Sequence, residues 1–578
     1  MTDKKTTKPD SASAAADAGK APAPKAPAPA AKPAAKPAAK KPSKGAGAKA
    51  KPAAKPAASK AGTAKAQATK PAASKKSPPK PAAQKPAAKT PVKPAQKAAP
   101  KQAPKPASKP APAAPLSADR FRTLGEAGIG YPGAMQARSM AWFENRLYVG
   151  TATPAPRGAG DRARILAHDP ERDTWETVFE SPVAALSGRQ QAQAARLNPD
   201  KSGRRRVVQK SSESEMGQDF GICAMQVFEG KSDYAPCLYA GTASLGGGLI
   251  LRSDDGQRFE VISLPGIDDA TQMSFGAMAV LGDRLYVAPM GTLTEHRASA
   301  ETAPAPVIYA SDDPDLGDWT RIAPAAFAVP GAAGVSALCA AHGYLYAGVG
   351  NPLAGFALWR IAEAALGTEA ADEAWEQVLE HGAWRFNHNL TPVRICAFGD
   401  ALYVGTGISG LGYDVENDVG PCAAEVIRVN ADGTWDLVTG EPRFTPDGFK
   451  VPLSAKGPGF GAGHNSRMDS LAVYGDHLFV GTYNWRALDW AGSDRSEPMQ
   501  GGYQLWASAD GEDWTCVLTG GNGNPAAAGI SSLCATPVGL YLGTSNAAAA
   551  IVKQVTDQDQ MALIDGDMTE GFAVLLAD

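Results

Sequence analysis

The chain has 578 residues and a formal net charge of −1, but that total hides a split. Residues 1–115 hold 26 lysines, no arginine and three acidic residues, a charge of +23, while the rest of the chain sums to −24. All 41 aromatic residues lie after position 115, which excludes a packed core from the first segment and confines globular structure to the second.

Residues 1–115 repeat units such as Lys32-Pro33-Ala34-Ala35-Lys36-Pro37-Ala38-Ala39-Lys40 and carry 23 of the chain's 47 prolines. Proline every few residues removes backbone donors and breaks helices, so the spacing predicts a disordered, lysine-rich, low-complexity tail with an extended, polyproline-like backbone. Its regular lysines, among them Lys32, Lys36, Lys40, Lys51 and Lys55, have no aromatic side chain between them. That pattern suits sequence-independent neutralisation of phosphate, and the expected partner is a polyanion, nucleic acid first. A spacer, or a solubilising tail that folds back on its own acidic domain, are the competing readings. Met1-Thr2-Asp3-Lys4-Lys5 leads into no apolar stretch, so neither a signal peptide nor membrane insertion is expected. Seven cysteines with no paired spacing fit a reducing compartment, and cytoplasmic localisation is the expectation.

From residue 116 onward one short strand recurs seven times. It reads Leu147-Tyr148-Val149-Gly150-Thr151, Leu238-Tyr239-Ala240-Gly241-Thr242, Leu285-Tyr286-Val287-Ala288, Leu345-Tyr346-Ala347-Gly348, Leu402-Tyr403-Val404-Gly405-Thr406, Leu478-Phe479-Val480-Gly481-Thr482 and Leu540-Tyr541-Leu542-Gly543-Thr544. Copies of a short apolar strand at this spacing predict an all-β chain, a seven-bladed β-propeller over 116–555. Seven residues before six of the signature leucines stands a large apolar residue (Met140, Met278, Leu338, Ile395, Leu471, Leu533), followed by a small one. This predicts the innermost strand of each blade; blade two departs, with Gln226 in the small slot. Unit seven has no obvious fourth strand after Ile551-Val552-Lys553, and Arg120–Leu124 is expected to close the ring in its place. Residues 556–578 read as a C-terminal extension with Phe572–Leu576 as an extra strand or packed tail, and 182–219 as a basic insertion that is either a second polyanion contact through Arg204, Arg205 and Arg206 or an ordinary flexible insertion.

The turns Ser253-Asp254-Asp255-Gly256 before Phe259 and Ser508-Ala509-Asp510-Gly511 before Trp514 resemble the Asp-box of sialidase-type propellers, each one residue short of the usual spacing. The resemblance covers most of 119–555 and extends to bacterial propellers with repeated Leu-Tyr-Val-Gly-Thr strands. It implies the fold; the box is a structural turn in that family. The family's Phe/Tyr-Arg-Ile-Pro segment is absent, which argues against sialoside hydrolysis. The tail resembles the Lys/Ala/Pro tails of linker-histone-like bacterial proteins in composition.

Strand alternation gathers the long loops (153–163, 182–219, 291–306, 382–392, 407–423, 442–467, 483–501, 521–529) on one face, around the channel mouth. Ligand candidates on that face are Arg385, Asn387, His388 and Asn389; Tyr413 and Asp414; His464, Asn465, Arg467 and Asp469; and Tyr483, Asn484, Trp485 and Arg486. Tyr, Trp, Arg and Asn together suit a sugar or a peptide, and the His pair suits proton transfer. The histidines lack local ligand spacing, so no metal or other cofactor is expected. The sequence reads as a binding or scaffold propeller with a polycationic tail. The alternative is a glycan-active enzyme, a glycoside hydrolase or polysaccharide lyase, that uses the loop face; catalysis itself stays an open question at this level.

Overall fold

A computed structural model describes residues 116–154, 156, 158–185, 187, 190, 215–290, 305–408, 421–492, 499–555 and 568–578. The lysine-rich tail and Arg204–Arg206 lie outside the described residues.

Seven four-stranded antiparallel units form the domain, and within six of them each strand pairs with its sequence neighbour. The innermost strands are Gln136–Phe143, Asp219–Phe228, Phe275–Leu281, Gly334–Ala341, Thr391–Phe398, Asn465–Tyr474 and Ala527–Thr536. The signature strands follow as Arg146–Ala152, Cys237–Ser244, Arg284–Pro289, Tyr344–Gly350, Ala401–Gly407, His477–Asn484 and Gly539–Asn546. Third and fourth strands in blade one are Arg164–Asp169 and Thr174–Glu180, and in blade six Leu505–Ser508 and Thr515–Leu518.

Blade seven is assembled from both ends of the domain. Val574–Ala577 pairs with Leu540–Gly543 as the third strand, and Phe121–Gly125 pairs with it as the fourth. The segment 556–578, expected as an extension, therefore ends in a blade strand. Ile551-Val552-Lys553 lies instead in a helix, Ala548–Gln554. The alanine run favours that helix, and Asn546 Oδ1 accepts the Ala548 N–H at 2.8 Å.

Three positions of the signature, the threonine, the glycine and the tyrosine, have a direct physical reason. The threonine hydroxyl accepts a backbone N–H where the third strand begins: Arg164 on Thr151 (2.9 Å), Leu249 on Thr242 (3.0 Å), Glu425 on Thr406 (2.8 Å), Gln504 on Thr482 (3.0 Å) and Ala573 on Thr544 (2.8 Å). The glycine is where neighbouring blades touch. A Cβ on Gly481 would stand 2.6 Å from Ile530 Cβ of the next blade. The tyrosine is buried and leans on the following blade: the Tyr403 hydroxyl fills the space a side chain on Gly511 would need, and Gly511 has φ +78°. That glycine ends the Ser508–Gly511 turn, where Ser508 Oγ accepts the Gly511 N–H at 2.8 Å and Asp510 accepts two more at 2.9 and 2.8 Å. Ser253–Gly256 repeats the arrangement in blade two.

The large apolar residues of the innermost strands share one register. Met140, Met278, Leu338, Ile395, Leu471 and Leu533 pair with the third residue of the signature, and so does Met225 in blade two. Blade two merely has a longer turn, which hides Met225 from a fixed-offset reading. A chain starting at residue 126 is expected to melt well below one starting at 116. Losing burial of Phe121 alone costs about 3–5 kcal/mol, and the third strand regains a free edge. Calorimetry on the two chains checks this; equal melting temperatures would remove the closing role of 121–125.

Candidate functional site

The innermost strands run from the loop face toward the tight turns, so residues before each large apolar position sit nearer the channel mouth. Met140, Met225, Met278, Leu338, Ile395, Leu471 and Leu533 ring a cavity of about 190 Å³, with Arg138, Arg394 and the serines 139, 336, 470 and 532 beside them. This is smaller than the roughly 300–1,000 Å³ of ordinary ligand pockets. The apolar ring leaves little room on the axis, and ligand chemistry is sought among the loops.

The Arg385–Asn389 segment follows a backbone turn with left-handed residues, His381, Gly382, Ala383 and Trp384, and Phe386 is left-handed as well. Such a run is costly and persists only where its surroundings hold it. The hold is a buried carboxylate, Glu425, with no exposed surface. Arg443 donates to both its oxygens at 2.9 Å, Asn389 Nδ2 donates at 2.8 Å, and the Arg385 guanidinium lies at 3.5 Å. Asn389 also donates to the Gly382 carbonyl (3.0 Å) and accepts from Thr406 (3.0 Å), while Arg443 donates to the Ala383 carbonyl (2.8 Å) and Arg385 to that of Ala423 (2.7 Å). Arg385 and Asn389, expected at a ligand, are therefore occupied in holding the turn. Asn387 is half-buried and His388 exposed. Tyr413 and Asp414 lie outside the described residues.

The second cluster divides three ways. Asn465 is a buried bracket: it donates to the Gly459 carbonyl (2.9 Å) and to Gln504 Oε1 (2.8 Å), and accepts from Asn484 Nδ2 (2.8 Å). Arg467 and Asp469 pair at 3.1 Å within the innermost strand, and the Arg467 guanidinium stacks 4.3 Å over the Tyr483 ring. His464 faces a cavity. Its Nε2 lies 3.3 Å from Asp489 Oδ2 and its ring 4.8 Å from that of Trp485. The helix Arg486–Gly492 supplies Asp489 one turn after Trp485.

That cavity, about 540 Å³, is lined by His464, Asn484, Arg486, Gln500, Gln504 and Thr519 around bare glycines at 461, 463, 501, 502 and 520. His388 does not line it, so the two histidines are not brought together there. Sequence reasoning missed Asp489, Gln500 and Gln504; the helical step from Trp485 to Asp489 was the one available signal. Burial raises the thiol pKa of six of the seven cysteines, which leaves those six poor nucleophiles. Burial pushes the Cys339 thiol up to about 11 and those of Cys396 and Cys534 to about 12. Among the described residues no cluster of metal-ligating side chains occurs, and no helix is long and apolar enough to cross a membrane.

No family model matches the chain, and no curated protein matches it. Solved structures with similar backbones include a GH74 enzyme from Niastella koreensis (14% identity, 74% of this chain and 53% of that one, TM-score 0.39). A PL25 ulvan lyase matches at 12% identity over 73% of this chain and 92% of that one, TM-score 0.37. The structure of U3-55K matches at 10% identity over 80% of this chain and 100% of that one, TM-score 0.40. The chain spans about half the length of the GH74 enzyme. At such scores these likenesses add nothing to the fold read from the strand pairings.

The Glu425 network gives a stability prediction. Arg443→Met leaves a fully buried carboxylate short of its principal cation and is expected to destabilise the domain by about 3–5 kcal/mol, with Arg385→Met acting in the same direction. Urea unfolding measures both; unchanged midpoints would mean that these arginines are free for a ligand.

Proposed function

We propose that the protein is a glycan-active propeller whose loop face cleaves an acidic polysaccharide by β-elimination at His464. One observation carries the reading: an imidazole hydrogen-bonded to a carboxylate, in a cavity that also holds an arginine and several side-chain amides. Amides and an adjoining Trp suit sugar hydroxyls and ring faces. Hydrolysis needs two carboxyl groups flanking the scissile bond, whereas among the described residues no carboxylate lines this cavity and Asp489 is engaged with His464. Proton abstraction beside a sugar carboxylate needs a base and a cation, and both are present.

With His464 Nε2–H donated to Asp489, Nδ1 keeps its lone pair and takes the proton from the carbon next to the carboxylate. Arg486 offsets the charge that develops on that carboxylate. The C–H electrons form a C=C bond as the glycosidic C–O bond on the next carbon breaks, and the leaving oxygen takes a proton from solvent. No oxidant and no hydrolytic water are consumed. His464→Ala is expected to lower turnover about 10²–10⁴-fold without changing the melting temperature. Ultraviolet absorbance of the unsaturated product on a uronate polysaccharide panel reads it. Binding without any turnover by the unaltered protein would reduce the reading to a glycan-binding module.

A second reading concerns the tail, on its composition of 26 lysines without arginine. We propose that it contacts a polyanion without sequence preference. The full chain, but not one starting at residue 116, is expected to retain duplex DNA on filters at low salt, with affinity falling steeply as salt rises. Salt-independent retention, or none, would remove this role.

A further inference from the structure

A second cleft, of about 530 Å³, opens on the loop face between blades seven and one. Residues Tyr483 and Leu488 line it, while Asn484 and Arg486, their neighbours in sequence, line the His464 cavity, so the two sites flank one short segment. One wall is the helix Ala548–Gln554, which presents Ala549, Ala550 and Val552. The helix itself is seated on Leu488, Trp490 and Ala491 of the Arg486–Gly492 helix. The opposite end is polar. Gln136 of blade one pairs directly with Ser545 of blade seven across the blade junction, and both line the cleft. Ser545 is 2% exposed, and among the described residues its hydroxyl has no hydrogen-bond partner. A buried hydroxyl with no partner has lost its water without replacement, so a group that bonds to it is favoured. Gln136 is half-buried beside it.

We propose that this cleft binds an uncharged sugar ring. Small alanine side chains leave a flat apolar wall for the hydrophobic face of a pyranose, and Ser545 with Gln136 answer its hydroxyls at the other end. The charged residues lining the cleft, Asp161, Glu570 and Lys553, are of both signs, so the cleft has no strong preference for a charged ligand. The choice of a sugar rests on the glycan reading above, and the cleft then holds a neutral residue beside the acidic one at His464.

Titration calorimetry of the full chain with methyl β-D-glucopyranoside, methyl α-L-fucopyranoside and D-glucuronate tests this. A neutral glycoside is expected to bind, with glucuronate weaker at this site. Ala550→Trp, at an exposed helix position that tolerates a large side chain, is expected to weaken the neutral glycoside at least tenfold with an unchanged melting temperature. Ser545→Ala is expected to weaken it in the same direction, and His464→Ala to leave it unaltered. If His464→Ala has no effect on turnover while Ala550→Trp still abolishes neutral binding, the lyase reading fails and the cleft stands. If no neutral glycoside binds, or both cleft variants bind as the unaltered chain does, the cleft proposal is overturned.

Discussion

The structure depends on how closely neighbouring blades approach at the second strand. At Gly481 there is no room for even a methyl group before the next blade's Ile530. That contact sets the ring's packing, and it explains why so short a sequence is repeated so faithfully where other strands diverge. The threonine, tyrosine and glycine of the signature each serve it: one starts the third strand, one leans on the next blade, one gives way to it. None faces a ligand, so the most conspicuous pattern in the chain is architectural.

Once the ring is fixed, variation is left to the loops, and their polar residues divide between support and display. Glu425 and its two arginines support a left-handed turn, and Asn465 with Gln504 and Asn484 supports the start of blade six. Display falls to fewer groups, chiefly His464, Arg486, Gln500 and the residues of the blade-seven cleft. The buried brackets explain how displayed groups hold their positions on segments that contain so many glycines.

Much of the fold was legible because blade packing imposes a residue-by-residue requirement that survives as a motif. The innermost strands were legible for the same reason, except in blade two, where a longer turn shifted Met225 out of its offset. Blade seven was misread in part because a helix, Ala548–Gln554, stands between the second and third strands. The site was less legible, and the cause is local. The innermost strands carry bulges, between Pro392 and Arg394 and at two places after Asn465, and each bulge turns the following side chains to the other side. A polar residue near such a bulge reads identically in sequence whether it faces the mouth or lies between blades. Arg385, Asn389 and Asn465 turned inward, while His464 and Arg486 did not.

The closing strand has a consequence for how the chain reaches this state. Arg120 donates to the backbone oxygen of Asp578, 458 positions away, and Phe121 pairs with Ala577. During synthesis the first strand of the domain leaves the ribosome with no partner and waits until nearly the whole propeller has been translated. Six blades can form in order from local hairpins, but the seventh is the longest-range contact in the domain and the last available. A chain cut short between the end of blade six and residue 574 therefore leaves a ring with a gap, open sheet edges and an orphaned N-terminal strand. Such products are the species on which quality control would act.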